Sequence, residues 1–238
     1  MSGHSHFATI KHKKGLADEQ RSRAFSKLAR EITVAAKAGA DPTANASLRA
    51  VLDKAKGLNM PSDSVERAIK KATGQGNEGQ LQEILLEAYG PGSVAILISG
   101  ITDNKNRTLG EIRLILSKFG GKMVEGGAVQ WLFEQKGEIA VSRNNQNKDE
   151  LELICIEAGA QDLYWEDEDN LSVYTTPSDT EKVRAALSQK GVAAESSGLS
   201  WIPKERVLLP AARETTEKLF EALNDQDDVQ GIYSNIIL

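Results

Sequence analysis

The chain has 238 residues, of which 40% are hydrophobic and 26% are charged, and its formal net charge is −5. Such a composition supports apolar cores and excludes a wholly disordered chain. No apolar run approaches the ~20 residues that cross a bilayer, so we expect a cytoplasmic protein that does not enter the membrane. Cys155 is the single cysteine, so an internal disulfide is excluded and a reducing compartment is expected.

Charge is divided unevenly along the chain. Residues 1–80 carry 14 Lys and Arg against 8 Asp and Glu, whereas the remaining residues carry 15 against 26. A basic segment joined to an acidic body indicates that an anionic partner binds the first part and is repelled by the second. The asymmetry therefore points to nucleic acid as a partner of the N-terminal third.

Three helices are predicted in the basic segment. Apolar residues recur at helical spacing over 17–37, a second helix is predicted over 44–57, and a third follows Pro61. The glycine string over 74–79 matches Gly-Xaa-Gly-Xaa-Xaa-Gly. It follows a helix instead of a strand, so we interpret it as a linker and not as a phosphate-binding loop.

Beyond residue 81 the pattern changes to short strands and helices. The first predicted elements are strands over 83–89 and 94–102, a helix over 108–119 and a strand over 128–133. The next six are a strand over 138–142, a helix over 148–158, strands over 162–166 and 170–175, a helix over 177–190 and a strand over 193–201. A helix over 213–223 and a strand over 229–236 end the series. The six consecutive elements in the middle have the order of a ferredoxin-like fold. The last helix and strand look like the missing half of the unit begun at residue 81.

The fold class predicted is therefore α+β and multi-domain. An N-terminal three-helix domain is followed by two α/β-sandwich domains, the last ferredoxin-like and inserted into the middle one. The predicted boundaries are 1–80 for the basic helical domain, 81–136 plus 207–238 for the discontinuous α+β domain, and 137–206 for the inserted domain.

Four motifs follow one another in the first half of the chain. They are Gly3–Ser5 with Ala8–Lys14, Asn59–Pro61 with Glu66–Lys71, Glu87–Gly92, and Asp103–Thr108. Together they resemble the YebC family from residue 3 to about residue 135, and the C-terminal layout agrees more loosely. The chain departs from the family at His6-Phe7, where a basic residue is usually followed by tryptophan. Phenylalanine keeps the aromatic ring but loses the indole hydrogen-bond donor.

The resemblance implies a three-domain cytoplasmic protein with a helical first domain. Bacterial members of the family are usually labelled probable DNA-binding transcriptional regulators. Relatives, including the mitochondrial translational activator of cytochrome c oxidase, are linked instead to ribosomes and to peptide synthesis through proline runs. The resemblance therefore implies one of two partners. One is promoter DNA, and the other is ribosomal RNA, which would bring the protein to the ribosome. Without a recognition-helix signature, backbone or shape reading is favoured, and RNA suits it as well as DNA.

The candidate nucleic-acid-binding residues are mostly cations of the basic segment. They are Lys11, His12, Lys13, Lys14, Arg23, Lys27, Arg30, Lys37, Lys70, Lys71 and Arg107. Those in the first helix fall opposite its apolar side, which predicts a row of cations facing phosphates, with a solvated face as the alternative. Lys54, Lys56 and Arg67 extend the same surface more weakly. Arg107 lies in a polar loop that is expected to make an outside contact, while Asn104 or Thr108 holds the turn or caps the helix.

Other function classes have weaker support in the sequence. A nuclease or hydrolase would need a metal site or paired carboxylates. The histidines at 4, 6 and 12 lack Cys, Asp or Glu partners at ligand spacing, and the acidic run over 166–169 falls in a predicted hairpin turn. We therefore expect no catalytic residues, metal or cofactor, and a monomer. A scaffold that meets proteins through its acidic inserted domain is the remaining alternative.

Overall fold

The computed structural model of the chain describes residues 18–72 and 81–237. Within these ranges, three helices precede two four-stranded antiparallel sheets, and no helix there is long and apolar enough to cross a membrane. The elements, in chain order, are α1 (Asp18–Ala36), α2 (Ala46–Gly57), α3 (Ser62–Ala72), β1 (Gln82–Tyr89), β2 (Ala95–Thr102), α4 (Lys105–Lys118), β3 (Lys122–Val124), β4 (Phe133–Ser142), α5 (Lys148–Glu157), β5 (Asp162–Trp165), β6 (Asn170–Thr175), α6 (Thr180–Gln189), β7 (Ala194–Pro203), α7 (Pro210–Asn224) and β8 (Val229–Ser234).

The helical unit, α1 to α3, folds around an apolar core of its own. Leu28, Ile32 and Leu48 are fully buried in it, because residues four apart on α1 face the same side. Asn45 fixes the turn between α1 and α2. Its side chain accepts from the Leu48 amide at 3.0 Å, which caps α2, and donates to the Ala35 carbonyl at 2.8 Å.

The first sheet has the strand order β3-β1-β2-β8. The last strand pairs with β2 in the register Ile96↔Ser234 to Ile98↔Ile232, so the C-terminal segment completes a sheet that began with β1. Helices α4 and α7 cover one face, where Ile112 and Leu219 are fully buried. The other face carries an apolar cluster that includes residues of β2, the start of β4 and the end of β7, so the two sheets share buried contacts.

The second sheet has the strand order β5-β6-β4-β7, with α5 and α6 on one face. This order and the sequence of elements are those of a ferredoxin-like fold, inserted between β3 and α7 of the first unit. Gly137 allows β4 to pass close to the hydroxyls of Thr175 and Thr180, with which any side chain at that position would collide. The predicted fold class is therefore confirmed, while the residue boundaries of the three domains stay a prediction.

Local predictions failed where side chains redirect the backbone. Residues 128–133, predicted as a strand, instead contain a 3-10 turn over Gln130–Leu132 that leads into β4, and β3 was not predicted at all. The helix predicted from Thr108 begins at Lys105, because Asn104 caps it by accepting from the Arg107 amide at 3.1 Å.

A buried carboxylate explains the misplaced strand. Glu87 on β1 is 5% exposed, and its oxygens accept from the amides of Gly127, Val129 and Gln130 at 2.5, 2.6 and 2.9 Å. Burial alone would raise the pKa of the Glu87 carboxyl, but these hydrogen bonds hold it below its usual value. The amides that a strand would direct to its neighbours are therefore bound to one side chain.

Replacement of Glu87 by alanine should destabilise the fold by about 3 kcal/mol, because three amide donors lose their acceptor. Urea unfolding followed by circular dichroism measures the change. Glu83→Ala is the matched control, since Glu83 is exposed on the same strand and should cost less than about 0.5 kcal/mol. Equal urea midpoints for the two variants would contradict a stabilising role of Glu87 as the acceptor for the three amides.

Candidate nucleic-acid interface

The predicted cations of α1 lie against the first sheet unit and do not form a solvated row. Arg23 Nη1 lies 2.6 Å from Asp225 Oδ1, and Lys27 Nζ donates to the Asn224 carbonyl at 2.6 Å. Lys27 is only 4% exposed. The expectation that this side of α1 faces solvent is therefore corrected, because the segment joining α7 to β8 covers it. We call that segment, residues 224–228, the acidic corner.

Arg30 of α1 and Lys37, the residue that follows the helix, extend the contact. The Arg30 guanidinium donates to the Asp227 carbonyl at 2.8 Å and forms an ion pair with the Asp228 carboxylate. Lys37 Nζ donates to the Leu81 carbonyl at 2.5 Å, just before β1 begins. Arg23, Lys27 and Arg30 of α1, and Lys37 just after it, thus bind oxygen atoms of the first sheet unit or of the residue that leads into it.

Asp228 is the centre of this arrangement. The residue is 1% exposed. Its carboxylate accepts hydrogen bonds from the hydroxyl of Thr108 at 2.6 Å, the hydroxyl of Thr102 at 3.1 Å and the guanidinium of Arg107 at 3.0 Å. It also accepts a hydrogen bond from the guanidinium of Arg30. Burial alone would raise the pKa of Asp228. The bonds from Thr108 and Arg107 and the charge of Arg30 instead hold the pKa below its usual value. The carboxylate therefore stays ionised although it is buried.

The motif Asp103–Thr108 builds half of this site. Arg107 bridges Asp228 and Asp103, whose carboxylate lies 2.8 Å from the same nitrogen. Asn104 caps α4, and the Thr108 hydroxyl lies 2.6 Å from the Asp228 carboxylate and 3.1 Å from the Asn104 carbonyl at the helix start. Arg107 was predicted to make an outside contact, and the structure places it between two carboxylates with its side chain 44% exposed.

Burial changes the pKa of the Lys27 ammonium group. Desolvation lowers the pKa of Lys27 to about 8, although the charges of Asp227 and Asp225 favour the ammonium form. At neutral pH this side chain is charged and buried, and the Asn224 carbonyl and side-chain oxygens lie nearest to it. The contact between α1 and the acidic corner therefore includes one cation that loses hydration in order to form it.

A second set of predicted cations is exposed on the helical unit. Lys70 and Lys71 lie exposed on α3, and Arg67 shares their side of the helix because it precedes them by three and four residues. Lys56 on α2 has a side chain that is 82% exposed. Exposed ion pairs such as Lys56–Asp53, at 3.8 Å, are weak and open to exchange with another anion. We call Lys56, Arg67, Lys70 and Lys71 the outer cations.

The basic N-terminal segment falls outside the described residues. Its predicted phosphate-binding residues are Lys11, His12, Lys13 and Lys14. Within 18–72 and 81–237, no group of three or more His, Cys, Asp or Glu side chains is placed to hold a metal ion.

The second sheet brings together a pair of carboxylates that was not predicted from the sequence. The Ser172 hydroxyl lies 3.0 Å from Glu138 Oε1 and 3.1 Å from Glu166 Oε1, on the face opposite α5 and α6. Burial raises the pKa of both carboxyls, and the charge of Glu138 helps to bring that of Glu166 to about 8. The predicted hairpin turn is present, since Asp167 accepts from the amide of Asn170 at 2.8 Å. Glu166, however, turns back onto the sheet instead of facing solvent.

Known proteins resemble the chain over nearly its full length. The model of the TACO1/YebC protein N-terminal domain matches residues 5–75, and that of the TACO1/YebC second and third domain matches residues 81–236. Probable transcriptional regulatory proteins from Desulfitobacterium hafniense and Trichlorobacter lovleyi are 44% and 48% identical to it, and each alignment covers 99% of this chain and 95% of the relative.

A solved structure agrees with the fold. The crystal structure of a conserved hypothetical protein, Aq1575 from Aquifex aeolicus, superposes with a TM-score of 0.89 at 40% sequence identity. The match covers 98% of this chain and 96% of that one, so it includes both the helical unit and the two sheets.

Replacement of Asp228 by alanine should destabilise the protein by about 3 kcal/mol, because Arg30 and Arg107 then lose a buried anion. Asp103→Ala removes only the exposed partner of Arg107 and should cost less than about 1 kcal/mol. Urea unfolding of both variants tests the difference. A loss for Asp228→Ala no larger than that for Asp103→Ala would contradict the central place of Asp228.

The buried carboxylate pair predicts a pH dependence of stability. Glu166 keeps its proton up to about pH 8 in the folded state but releases it near its ordinary pKa when unfolded. Stability should therefore fall as pH rises from about 4.5 to 8. Glu166→Gln should reduce that decline, to which Glu138 also contributes, and should stabilise the protein by about 1–3 kcal/mol at pH 9, with little effect at pH 4. Parallel pH profiles of the two proteins would argue against the raised pKa.

Proposed function

The chain belongs to the TACO1/YebC family, and on that basis we propose that it is a cytoplasmic, monomeric regulator of gene expression that binds nucleic acid and is not an enzyme. Its relatives in Desulfitobacterium hafniense and Trichlorobacter lovleyi are named probable transcriptional regulatory proteins. DNA is accordingly the target that we propose first. The observation that carries the proposal is the separation of charge between the helical unit and the two sheet units.

The outer cations supply the phosphate contacts in this proposal. Four exposed basic side chains on α2 and α3 belong to a unit whose sequence continues, at its N-terminal end, into the basic segment with Lys11, His12, Lys13 and Lys14. Lys and Arg neutralise phosphates without reading sequence, so these residues provide affinity and position the protein on the backbone. The acidic sheet units face away from phosphates because they would be repelled by them.

Mechanism follows from how the fold presents these cations. Helices α2 and α3 are held rigidly by the buried core around Leu48 and by the Thr33 hydroxyl, which donates to the Ala68 carbonyl at 3.0 Å. Rigid helices hold exposed cations at fixed spacing, which reduces the entropy lost on binding. Binding at this unit leaves the two sheet units, joined to each other by buried apolar contacts, free to meet a protein partner.

Replacement of all four outer cations by glutamine should weaken binding to a mixed-sequence DNA duplex by about 10-fold or more. It should also reduce the slope of log affinity against log salt by about 2 to 4, because up to four phosphate contacts are lost. Fluorescence anisotropy at several salt concentrations measures both quantities.

The matched control neutralises four exposed cations of the sheet units, namely Arg113, Lys118, Lys182 and Lys204. It changes net charge equally, so a general electrostatic effect would weaken binding in both variants. Equal losses in the two variants, or an unchanged salt slope in the first, would contradict the proposed surface.

Crosslinking in growing cells, followed by sequencing of the attached nucleic acid, tests the choice of target. Enrichment of discrete promoter DNA over the outer-cation variant supports the proposal. Enrichment of ribosomal RNA would favour the alternative, a ribosome-associated translation factor that relieves stalling at proline-rich stretches. No enrichment over that variant would contradict nucleic-acid binding through this face.

A further inference from the structure

The contacts between α1 and the acidic corner share one chemical feature. Each joins a cationic nitrogen of α1 to a carboxylate or carbonyl oxygen, as in Arg23–Asp225, Lys27–Asn224 and Arg30–Asp227. A phosphodiester backbone presents the same kind of acceptor, a row of oxygen atoms that carry negative charge. The corner thus occupies α1 in the way that phosphates would.

The helical unit is attached to the first sheet unit by the polar contacts of α1, and its helix α2 also lies against β7 of the second sheet. Its apolar core consists only of residues from 25–72, and the core between α4, α7 and the first sheet contains none of them. The two sheet units, in contrast, share a buried apolar cluster that includes Leu97 and Phe133. Polar interfaces of this kind favour relative motion of domains, and their ion pairs are screened by salt.

Separation of α1 from the acidic corner would leave the first sheet unit and α1 in different states. If α1 leaves, the Asp228 carboxylate keeps the donors Thr102, Thr108 and Arg107, so the first sheet unit remains satisfied. Lys27 regains the hydration that burial removes, which favours release at neutral pH, where its ammonium is charged. Arg23 and Arg30 would need new oxygen partners, and phosphates can supply them.

From these observations we propose that the cationic side of α1, formed by Arg23, Lys27 and Arg30, is a second phosphate-binding surface that the acidic corner of the same chain masks. Nucleic acid bound first at the outer cations competes with the corner for this side of α1. This inference rests on the proposed function, because the competitor is the same class of ligand.

The test removes the two exposed charges of the corner and leaves Asp228 in place. The variant Asp225→Asn with Asp227→Asn should bind a mixed-sequence DNA duplex about 3- to 10-fold more tightly than the unmodified protein and with a steeper salt dependence. Adding Arg23→Gln to this variant should cancel most of the gain, because Arg23 is then no longer available to phosphates.

The matched control, Glu214→Gln with Glu217→Gln, removes two carboxylates of α7, one exposed and one half-buried, that pair only within their own helix in the described contacts, with Lys218 and Arg213. An equal gain in this control would show a general charge effect and overturn the masking. Unchanged affinity of the corner variant, with binding by the unmodified protein intact, would overturn the masking and leave the proposed function standing. Binding by none of the proteins would overturn both.

Discussion

A single buried carboxylate determines how the basic and acidic parts of this protein meet. Asp228 lies between β2, α1 and the start of α4, and hydrogen-bond donors from all three elements contact its carboxylate. Buried charge is costly unless it is paired and hydrogen-bonded. Thr102, Thr108 and Arg107 satisfy the carboxylate within the first sheet unit, and Arg30 of α1 adds a second guanidinium. The position of the helical unit on the first sheet unit thus depends on a site that two guanidinium groups share.

That dependence changes the meaning of the charge asymmetry. A basic segment and an acidic body need not act separately, because part of the positive charge is spent on holding the two together. Lys27 and Arg30 serve attachment, whereas Lys56, Arg67, Lys70 and Lys71 remain exposed. A nucleic-acid-binding role then has an internal competitor, and net charge alone does not give the surface available to phosphates.

The sequence predicted the fold better than it predicted the site. Helical spacing located α1 to α3, and the order of strands and helices identified the inserted ferredoxin-like unit, since both depend on local periodicity. The site depends on contacts between distant residues: Asp225 lies 202 residues beyond Arg23, and no local pattern relates them. The same limit explains why the buried contacts of Glu87 and Glu166 were not predicted, because they follow from the loop and the sheet face that pack over these side chains.

Asp103–Thr108 shows how a motif can be located correctly and interpreted too narrowly. Asn104 or Thr108 was expected to cap the helix or hold the turn, and Asn104 caps it; Arg107 was expected to contact an outside partner, yet Arg107 and Thr108 complete the Asp228 site. The family resemblance identified the residues, and only the structure shows what they contact. Position in the chain could not distinguish a binding loop from an internal joint, because both need exposed polar side chains next to a helix start.

The most direct test of the account is the distance between the helical unit and the first sheet unit with and without nucleic acid. Fluorophores placed by Ser47→Cys on α2 and Ser117→Cys on α4 would report it by energy transfer, and Cys155 is buried and does not compete for the label. The account predicts that saturating DNA lowers the transfer efficiency, as α1 leaves the acidic corner. An efficiency unchanged at saturation would contradict it and would make the contact between α1 and Asp228 a permanent joint.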